Sequence, residues 1–430
     1  IESKFLKGVL GLFGLSAIYG LTMLVENPSF RDVAKWIVPP TAVIVIIWSI
    51  RASRCPICEK MLIFTDPSFK KCPYCDFNSH VAKQTIPETD YVSALIEDLK
   101  ADLHWVQGRK LRSIFFGGGT PSLFSGSAIG TILQAAENLI GFESDIEVTL
   151  EANPGVAEQK KFADFYSAGV NRLSVGVQSF NDNHLKRLGR IHSSSQAISA
   201  IVMAQSAGFD NFNIDLMHGL PEQTVAEAEN DISKAADSGA IHISWYQLTI
   251  EPNTEFFSRP PLLPIDDRLA DIQQAGMVML NNKGYQQYEV SAFAKNEMQS
   301  HHNMNYWQFG DYLGVGAGAH GKITLPTQNE IIRTAKTRQP DHYLAKLGSP
   351  EILSKAISLD EMAQEFMMNG LRLKQGVSRE YFTQRTGLDF HSVDKIVLRL
   401  QSQGLLEQDT DRYRTTPLGY QFLNSVLQNF

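Results

Sequence analysis

The sequence predicts an α/β protein built on a partial, parallel (β/α)6 barrel, with a small winged-helix-like domain after it and a hydrophobic helical hairpin before it. Three observations predict this. Between Ile86 and Ser291, short runs rich in β-branched and aromatic residues alternate with helical stretches, the texture of successive βα units. From about Leu359 the chain reads as three helices and a short ribbon. Ahead of residue 54 lie two uncharged apolar runs.

The apolar runs come first in the chain. Residues 8–25 have about the length of a membrane span. Residues 36–50 form a shorter run interrupted by Pro39 and Pro40, as in a broken helix or a re-entrant segment. Lys4 and Lys7 precede the pair and Arg51 and Arg54 follow it, so the positive-inside rule predicts a hairpin over 1–54 with both ends in the cytoplasm. The bland alternative is two buried helices. A cleaved signal peptide fits poorly, because a second apolar run follows with no small-residue cleavage site between.

The barrel domain is expected over 81–300. Its strands are read at Arg112–Phe116, Asp145–Leu150, Arg172–Val177, Asn211–Met217, His242–Leu248 and Gln287–Ser291. Thr89–Gln107 places Tyr91, Leu95, Leu99 and Leu103 on one helical face, and Ala157–Ala168 reads as a helix stopped by Gly169. A connector over 301–358 leads to the C-terminal domain, 359–430. Winged helices often bind nucleic acid, but acids are as frequent as bases in this tail, so a packing or partner-binding role is expected. Met367 and Met368 read as core filler.

Composition excludes several classes. With 430 residues, 43% of them hydrophobic and 20% charged, the chain is neither disordered nor fibrous. A formal charge of −7 argues against nucleic-acid binding by the chain as a whole. All four cysteines fall between Cys55 and Cys75, which excludes a disulfide framework spread along a secreted chain. They make two CxxC knuckles, Cys55/Cys58 and Cys72/Cys75, in the segment 55–80. Two such knuckles can close a tetrahedral thiolate site around Zn2+.

A colinear set of motifs carries a second reading. Lys71-Cys-Pro-Tyr-Cys75, Phe115-Phe-Gly-Gly-Gly-Thr-Pro-Ser122, Leu150-Glu-Ala-Asn-Pro154, Gly176-Val-Gln-Ser-Phe180, Gly189-Arg-Ile-His192, Asn213-Ile-Asp-Leu-Met217 and His302-Asn-Met-Asn-Tyr-Trp307 occur in order. Taken singly each is weak: a glycine cluster is often only a tight turn, and a histidine among aromatics is usually a core or loop residue. Together they resemble the radical SAM coproporphyrinogen III oxidase-like family, most closely its HemW-type haem chaperone branch, over about Lys71 to Phe430.

The resemblance implies a radical SAM partial barrel whose mouth binds S-adenosylmethionine (SAM) through Gly118, Gly119, Thr120, Glu151, Gln178, Arg190 and Asp215. It implies a [4Fe-4S] cluster, haem as ligand with His302 as its candidate contact, and haem-accepting proteins as partners at the cytoplasmic face of the membrane. The protein is then expected to be cytoplasmic, held at the inner membrane by residues 8–50. One motif departs from the family pattern. The cluster motif is CxxxCxxC, and the position four residues before Cys72 is Ser68. Cys72 and Cys75 therefore either complete a zinc ribbon with Cys55 and Cys58 or bind a cluster with one of those two as a distant third ligand, and ligand count favours zinc or an empty site. Residues 1–71 resemble the start of an unrelated membrane-anchored zinc-ribbon protein, which makes a SAM- and haem-binding body without catalysis the alternative.

Overall fold

The computed structural model describes residues 73–74 and 87–430, apart from 156–158, 253, 326, 327, 329 and 346–352. The described residues belong to one compact unit, Lys71–Phe430. The expected hairpin over 1–54, both cysteine pairs and Ser68 lie outside the described residues. Among the described residues no helix is long and apolar enough to cross a membrane.

Five strands run parallel in sequence order: β1 Leu111–Phe116, β2 Phe142–Ala152, β3 Arg172–Gln178, β4 Phe212–His218 and β5 His242–Gln247. Each connection carries helix, as a parallel sheet requires. The sixth strand differs from expectation. Gln287–Ser291 is not one parallel strand: β6 (Gln286–Gln287) and β7 (Ala292–Ala294) form an antiparallel pair, and β7 lies antiparallel on β5. The turn between them takes up the residues read as strand, and the partial barrel closes its edge with a hairpin instead of a further βα unit.

The strands alternate cleanly. Val148, Leu150, Leu173, Val175, Val177, Phe212, Ile214, Leu216, Ile243 and Trp245 are buried in one core with residues of the surrounding helices. The opposite face carries Glu147, Thr149, Glu151, Arg172, Ser174, Asn213, Asp215, His242 and Ser244. Register sets Glu151 beside Ser174, Ser174 beside Asn213 and Asn213 beside His242, a polar row across four strands. The outer helices are well capped. Ser193 and Thr224 each close a capping box, with Gln196 and Glu227, at the starts of Ser194–Ser206 and Val225–Asp237. Gly169, at φ +106°, ends the short helix Phe162–Ser167 as expected.

A three-stranded antiparallel sheet lies within what reads in sequence as a connector: β8 His320–Leu325, β9 Glu330–Ala335 and β10 Leu353–Ala356, in the order β10-β9-β8. The tail has the expected winged-helix plan. Helices Leu359–Gly370, Arg379–Thr386 and Asp394–Ser402 surround Phe366, Met367, Phe382, Val397 and Leu400, and β11 (Val377–Ser378) pairs with β12 (Arg412–Tyr413) as the ribbon. Met367 is core, but Met368 is 40% exposed and fills nothing, because the next residue along a helix turns away from the packed face.

Candidate functional site at the barrel mouth

The loop after β1 is open backbone. Gly118 and Gly119 have φ of +76° and +58°, the left-handed region that glycine enters without penalty, and a Cβ at either position would meet nothing within 4 Å. Gly117 is the opposite case. A Cβ there would fall 2.5 Å from the Phe115 ring and 3.2 Å from the Glu151 carboxyl carbon. Thr120 turns the chain into a single 3-10 turn, Pro121–Leu123.

Glu151 ends β2 under this loop and accepts the Gly118 N–H at 3.2 Å. Burial and the neighbouring Asp215 carboxylate raise its pKa to about 7, the amide of Gly118 offsetting part of this. Asp215, on β4, is also raised by burial. Asn213 Nδ2 donates to it at 2.8 Å and Ser174 Oγ at 3.1 Å, which works against that rise. Two carboxylates with raised pKa beside exposed glycine backbone make a setting that favours a cation.

Gln178 ends β3 with φ +69°, uncommon for a residue with a Cβ. Asp231 holds the chain just beyond it, accepting Ser179 Oγ at 2.6 Å and Phe180 N–H at 2.8 Å. Arg190 reaches back to the same place: its Nη2 donates to the Gly176 carbonyl at 3.0 Å and to Asn153 Oδ1 at 2.9 Å. A Cβ on Gly176 would lie 3.2 Å from Gln178 Nε2 and 3.5 Å from Arg190 Nη2, so the glycine makes room for both. His192 pins the Arg190 loop to β3. Burial depresses its pKa to about 4, so the ring is neutral and its Nε2–H donates to the Val177 carbonyl at 3.0 Å.

Tyr74, between Cys72 and Cys75 in sequence, belongs to this mouth as well. Its hydroxyl is 3.4 Å from Arg190 Nη1, its ring packs against Leu188, Met217, Leu220, Leu248 and Phe256, and the Pro73 carbonyl accepts the Phe256 N–H at 2.9 Å. The structure thus brings Gly118, Gly119, Thr120, Glu151, Gln178 and Arg190 to the carboxyl ends of β1 to β3, where an α/β sheet ordinarily binds its ligand, with Asp215 facing the same interior from the middle of β4.

His302 arrives from a different direction. It lies on the short helix His301–Trp307, whose first turn is held by Glu147 on β2. Ser300 Oγ and the amides of His301 and His302 all donate to that carboxylate at 3.1 Å, and Arg172 Nε stands 3.8 Å away. The His302 ring stacks on Phe115, and burial lowers its pKa to about 4. The Phe115 ring therefore stands between the His302 ring and Gly117 of the glycine loop.

The interior residues Glu147, Arg172, Asn213, His242, Tyr288 and Asn303 were missed as a group by sequence reasoning. For Glu147, Arg172, Asn213 and His242 the signal was present, since strands β2 to β5 alternate polar with apolar residues at a period of two and the polar face is the barrel's inside; Tyr288 and Asn303 lie outside those strands.

The chain matches the Radical SAM superfamily over residues 63–235 and the HemN C-terminal domain over residues 357–422. It is 49% identical over 365 residues to the heme chaperone HemW of Haemophilus influenzae, covering 84% of this chain and 94% of that protein. The chain belongs to the HemW family of radical SAM proteins. Heme chaperone HemW of Escherichia coli K12 is 47% identical over 361 residues, 84% of this chain and 95% of the relative. A mouse mitochondrial relative, radical S-adenosyl methionine domain-containing protein 1, is 35% identical over 371 residues, 83% of this chain and 84% of the relative. Among solved structures, coproporphyrinogen III oxidase (HemN) of Escherichia coli shares the fold, with a TM-score of 0.69 at 21% identity over 83% of this chain and 86% of that one.

Membership in this radical SAM family implies SAM and a [4Fe-4S] cluster as cofactors. The mouth fits SAM: two carboxylates and open glycine backbone suit its cationic sulfonium and amino groups, and Arg190 suits its carboxylate. The cluster's donor set is one thiolate short of the family pattern, because serine is a harder, high-pKa donor at position 68.

Proposed function

We propose that this HemW-family chain binds haem and SAM at one barrel mouth and hands haem to haem-accepting proteins, at the cytoplasmic face of the membrane. The observation that carries this reading is His302. Its imidazole is neutral at pH 7, the form that ligates iron, and it is packed through Phe115 against the glycine loop. The relatives named heme chaperone HemW supply the ligand class, at 47% and 49% identity over 84% of this chain. In the SAM site, Gly118, Gly119 and Thr120 present backbone to the amino group, Glu151, Gln178 and Asp215 take its polar and cationic parts, and Arg190 takes its carboxylate. SAM in this superfamily supplies a 5′-deoxyadenosyl radical when a reduced cluster cleaves it.

Residues 8–50 are assigned here as the membrane anchor, on run length and flanking charge. Ser68 favours a second reading, haem transfer without radical chemistry, with Zn2+ held by Cys55, Cys58, Cys72 and Cys75. Haem titration followed by the Soret band tests the first reading. Saturable binding by the wild-type protein and its loss in His302→Ala support it, and unchanged affinity removes His302 from the site. Anaerobic reconstitution with iron and sulfide, followed by metal analysis, EPR and a 5′-deoxyadenosine assay, decides between the readings. One zinc and no iron per chain favours the second, and SAM cleavage excludes it.

A further inference from the structure

The polar row inside the barrel carries a chain of hydrogen bonds whose direction can be assigned donor by donor. Asn213 Nδ2 faces the Asp215 carboxylate and donates to Oδ1 at 2.8 Å and to Ser174 Oγ at 2.8 Å, and Ser174 donates onward to Asp215 Oδ2 at 3.1 Å. With its nitrogen so engaged, Asn213 must accept through Oδ1. It takes Ser244 Oγ at 3.0 Å and His242 Nδ1 at 2.7 Å. The His242 ring is completely buried and neutral, so a proton on Nδ1 leaves Nε2 bare. The Tyr288 hydroxyl, 2.8 Å from Nε2, donates to it, and the Tyr288 oxygen accepts Asn303 Nδ2 at 3.1 Å. The chain runs Asn303, Tyr288, His242, Asn213, Asp215, with each proton directed toward the carboxylate.

Asn303 stands next to His302 on the same short helix. That helix is also tied to the barrel interior by Glu147. A buried chain of this kind is cooperative, because each member has one arrangement that satisfies its neighbours. Cutting it at Tyr288 frees His242 to carry its proton on Nε2. Nδ1 then no longer donates to Asn213, whose Oδ1 keeps only Ser244 Oγ as a donor, so the amide is held less firmly in the orientation that turns its nitrogen to Asp215.

We propose that Asn303 and Tyr288 are positioning residues for Asp215, so that the helix carrying the His302–Trp307 string sets SAM affinity through His242 and Asn213. This rests on the reading of Asp215 as a SAM contact. The test uses the full-length protein and four variants: Asp215→Asn, Tyr288→Phe, Asn303→Ala and the Tyr288→Phe/Asn303→Ala double variant. Calorimetry measures SAM affinity, thermal unfolding measures stability, and 15N NMR of labelled histidine reports the His242 tautomer.

Asp215→Asn is expected to weaken SAM binding. Tyr288→Phe, which keeps the ring and its packing, weakens it about tenfold and moves the His242 15N signals from a pure Nδ1–H form toward a mixture. The double variant is no weaker than Tyr288→Phe alone, since both cut one chain. Wild-type affinity in Tyr288→Phe beside weakened Asp215→Asn overturns the inference and leaves the SAM reading standing. Wild-type affinity in Asp215→Asn overturns that reading and the inference with it. Loss of affinity and stability in Tyr288→Phe with unchanged His242 signals overturns it in favour of simple packing.

Discussion

The imidazole of His302 stacks on the ring of Phe115, with centroids 4.4 Å apart and planes 19° from parallel. The Phe115 ring in turn occupies the space that a side chain on Gly117 would need. Burial lowers the His302 pKa to about 4, so its neutral form persists well below the pH at which a free histidine protonates. Haem affinity is therefore expected to stay level as pH falls from about 7.5 to about 5, read from Soret titrations. The sign for stability is opposite to that of a salt-bridged histidine. The unfolded state takes the proton first, so stability falls as pH drops from the ordinary histidine value toward 4. His302→Phe keeps the stack and removes the proton site. Urea midpoints across that window are expected to fall less steeply in the variant, and an equal slope would show that His302 is not the group responsible.

Glu151 gives a pH dependence of its own. With a pKa of about 7 it is protonated below neutrality, and only the ionised form attracts the cationic amino group of SAM. SAM affinity is expected to rise with pH through about 7 and to level off above it. Glu151→Gln should flatten this profile and bind at the weak, low-pH level throughout, as calorimetry at a series of pH values would show. A persistent rise in the variant would assign the titration to another group.

Much of this mouth was legible in the sequence because loop chemistry is local. The glycines of the β1 loop, the strand ends at Glu151 and Gln178, and the Arg190 turn are each specified within a few residues, and all meet where β1 to β3 end. What was not legible depends on distant pairing. Gln287–Ser291 has the composition of a strand, and only its contact with β5 through Ala292–Ala294 makes it a hairpin turn. Asn213, His242 and Tyr288 look like ordinary polar residues until register lines them up. The three-stranded sheet β8 to β10 reads in sequence as a connector although β8 and β9 are as long as β1 and β5, and one of its pairings joins Ala335 to the distant Leu353.

The glycine loop itself separates two kinds of cost. Gly118→Ala meets no atom but must hold φ +76°, which costs roughly 1 kcal/mol, whereas Gly117→Ala drives a methyl into the Phe115 ring. Gly118→Ala is expected to lower thermal stability slightly and weaken SAM binding through the lost approach of the backbone. Gly117→Ala should displace Phe115 and with it the His302 stack, lowering haem and SAM affinity together. Paired titrations of both variants check this, and retention of haem affinity in Gly117→Ala would disconnect the stack from the loop.

A buried ion cluster lies away from the mouth. Lys336, just beyond β9, is fully buried with its Nζ 2.5 Å from Asp98 and 2.8 Å from Asp102, both on or at the end of the helix Glu88–Ala101. The Tyr343 hydroxyl and the Gly316 amide also donate to Asp98, at 2.8 and 3.0 Å. One cation here compensates two carboxylates that water does not reach, so removing it should cost far more than losing a surface pair. Lys336→Met is expected to destabilise the protein by about 3–5 kcal/mol, the range for breaking a buried pair from one side, measured by urea unfolding. Replacing the carboxylates as well, in Asp98→Asn/Asp102→Asn/Lys336→Met, should recover a large part of that loss, because the penalty lies in the orphaned charges and not in the absent lysine. A triple variant no more stable than Lys336→Met would instead locate the stabilisation in the hydrogen bonds that Asp98 makes to Tyr343 and Gly316.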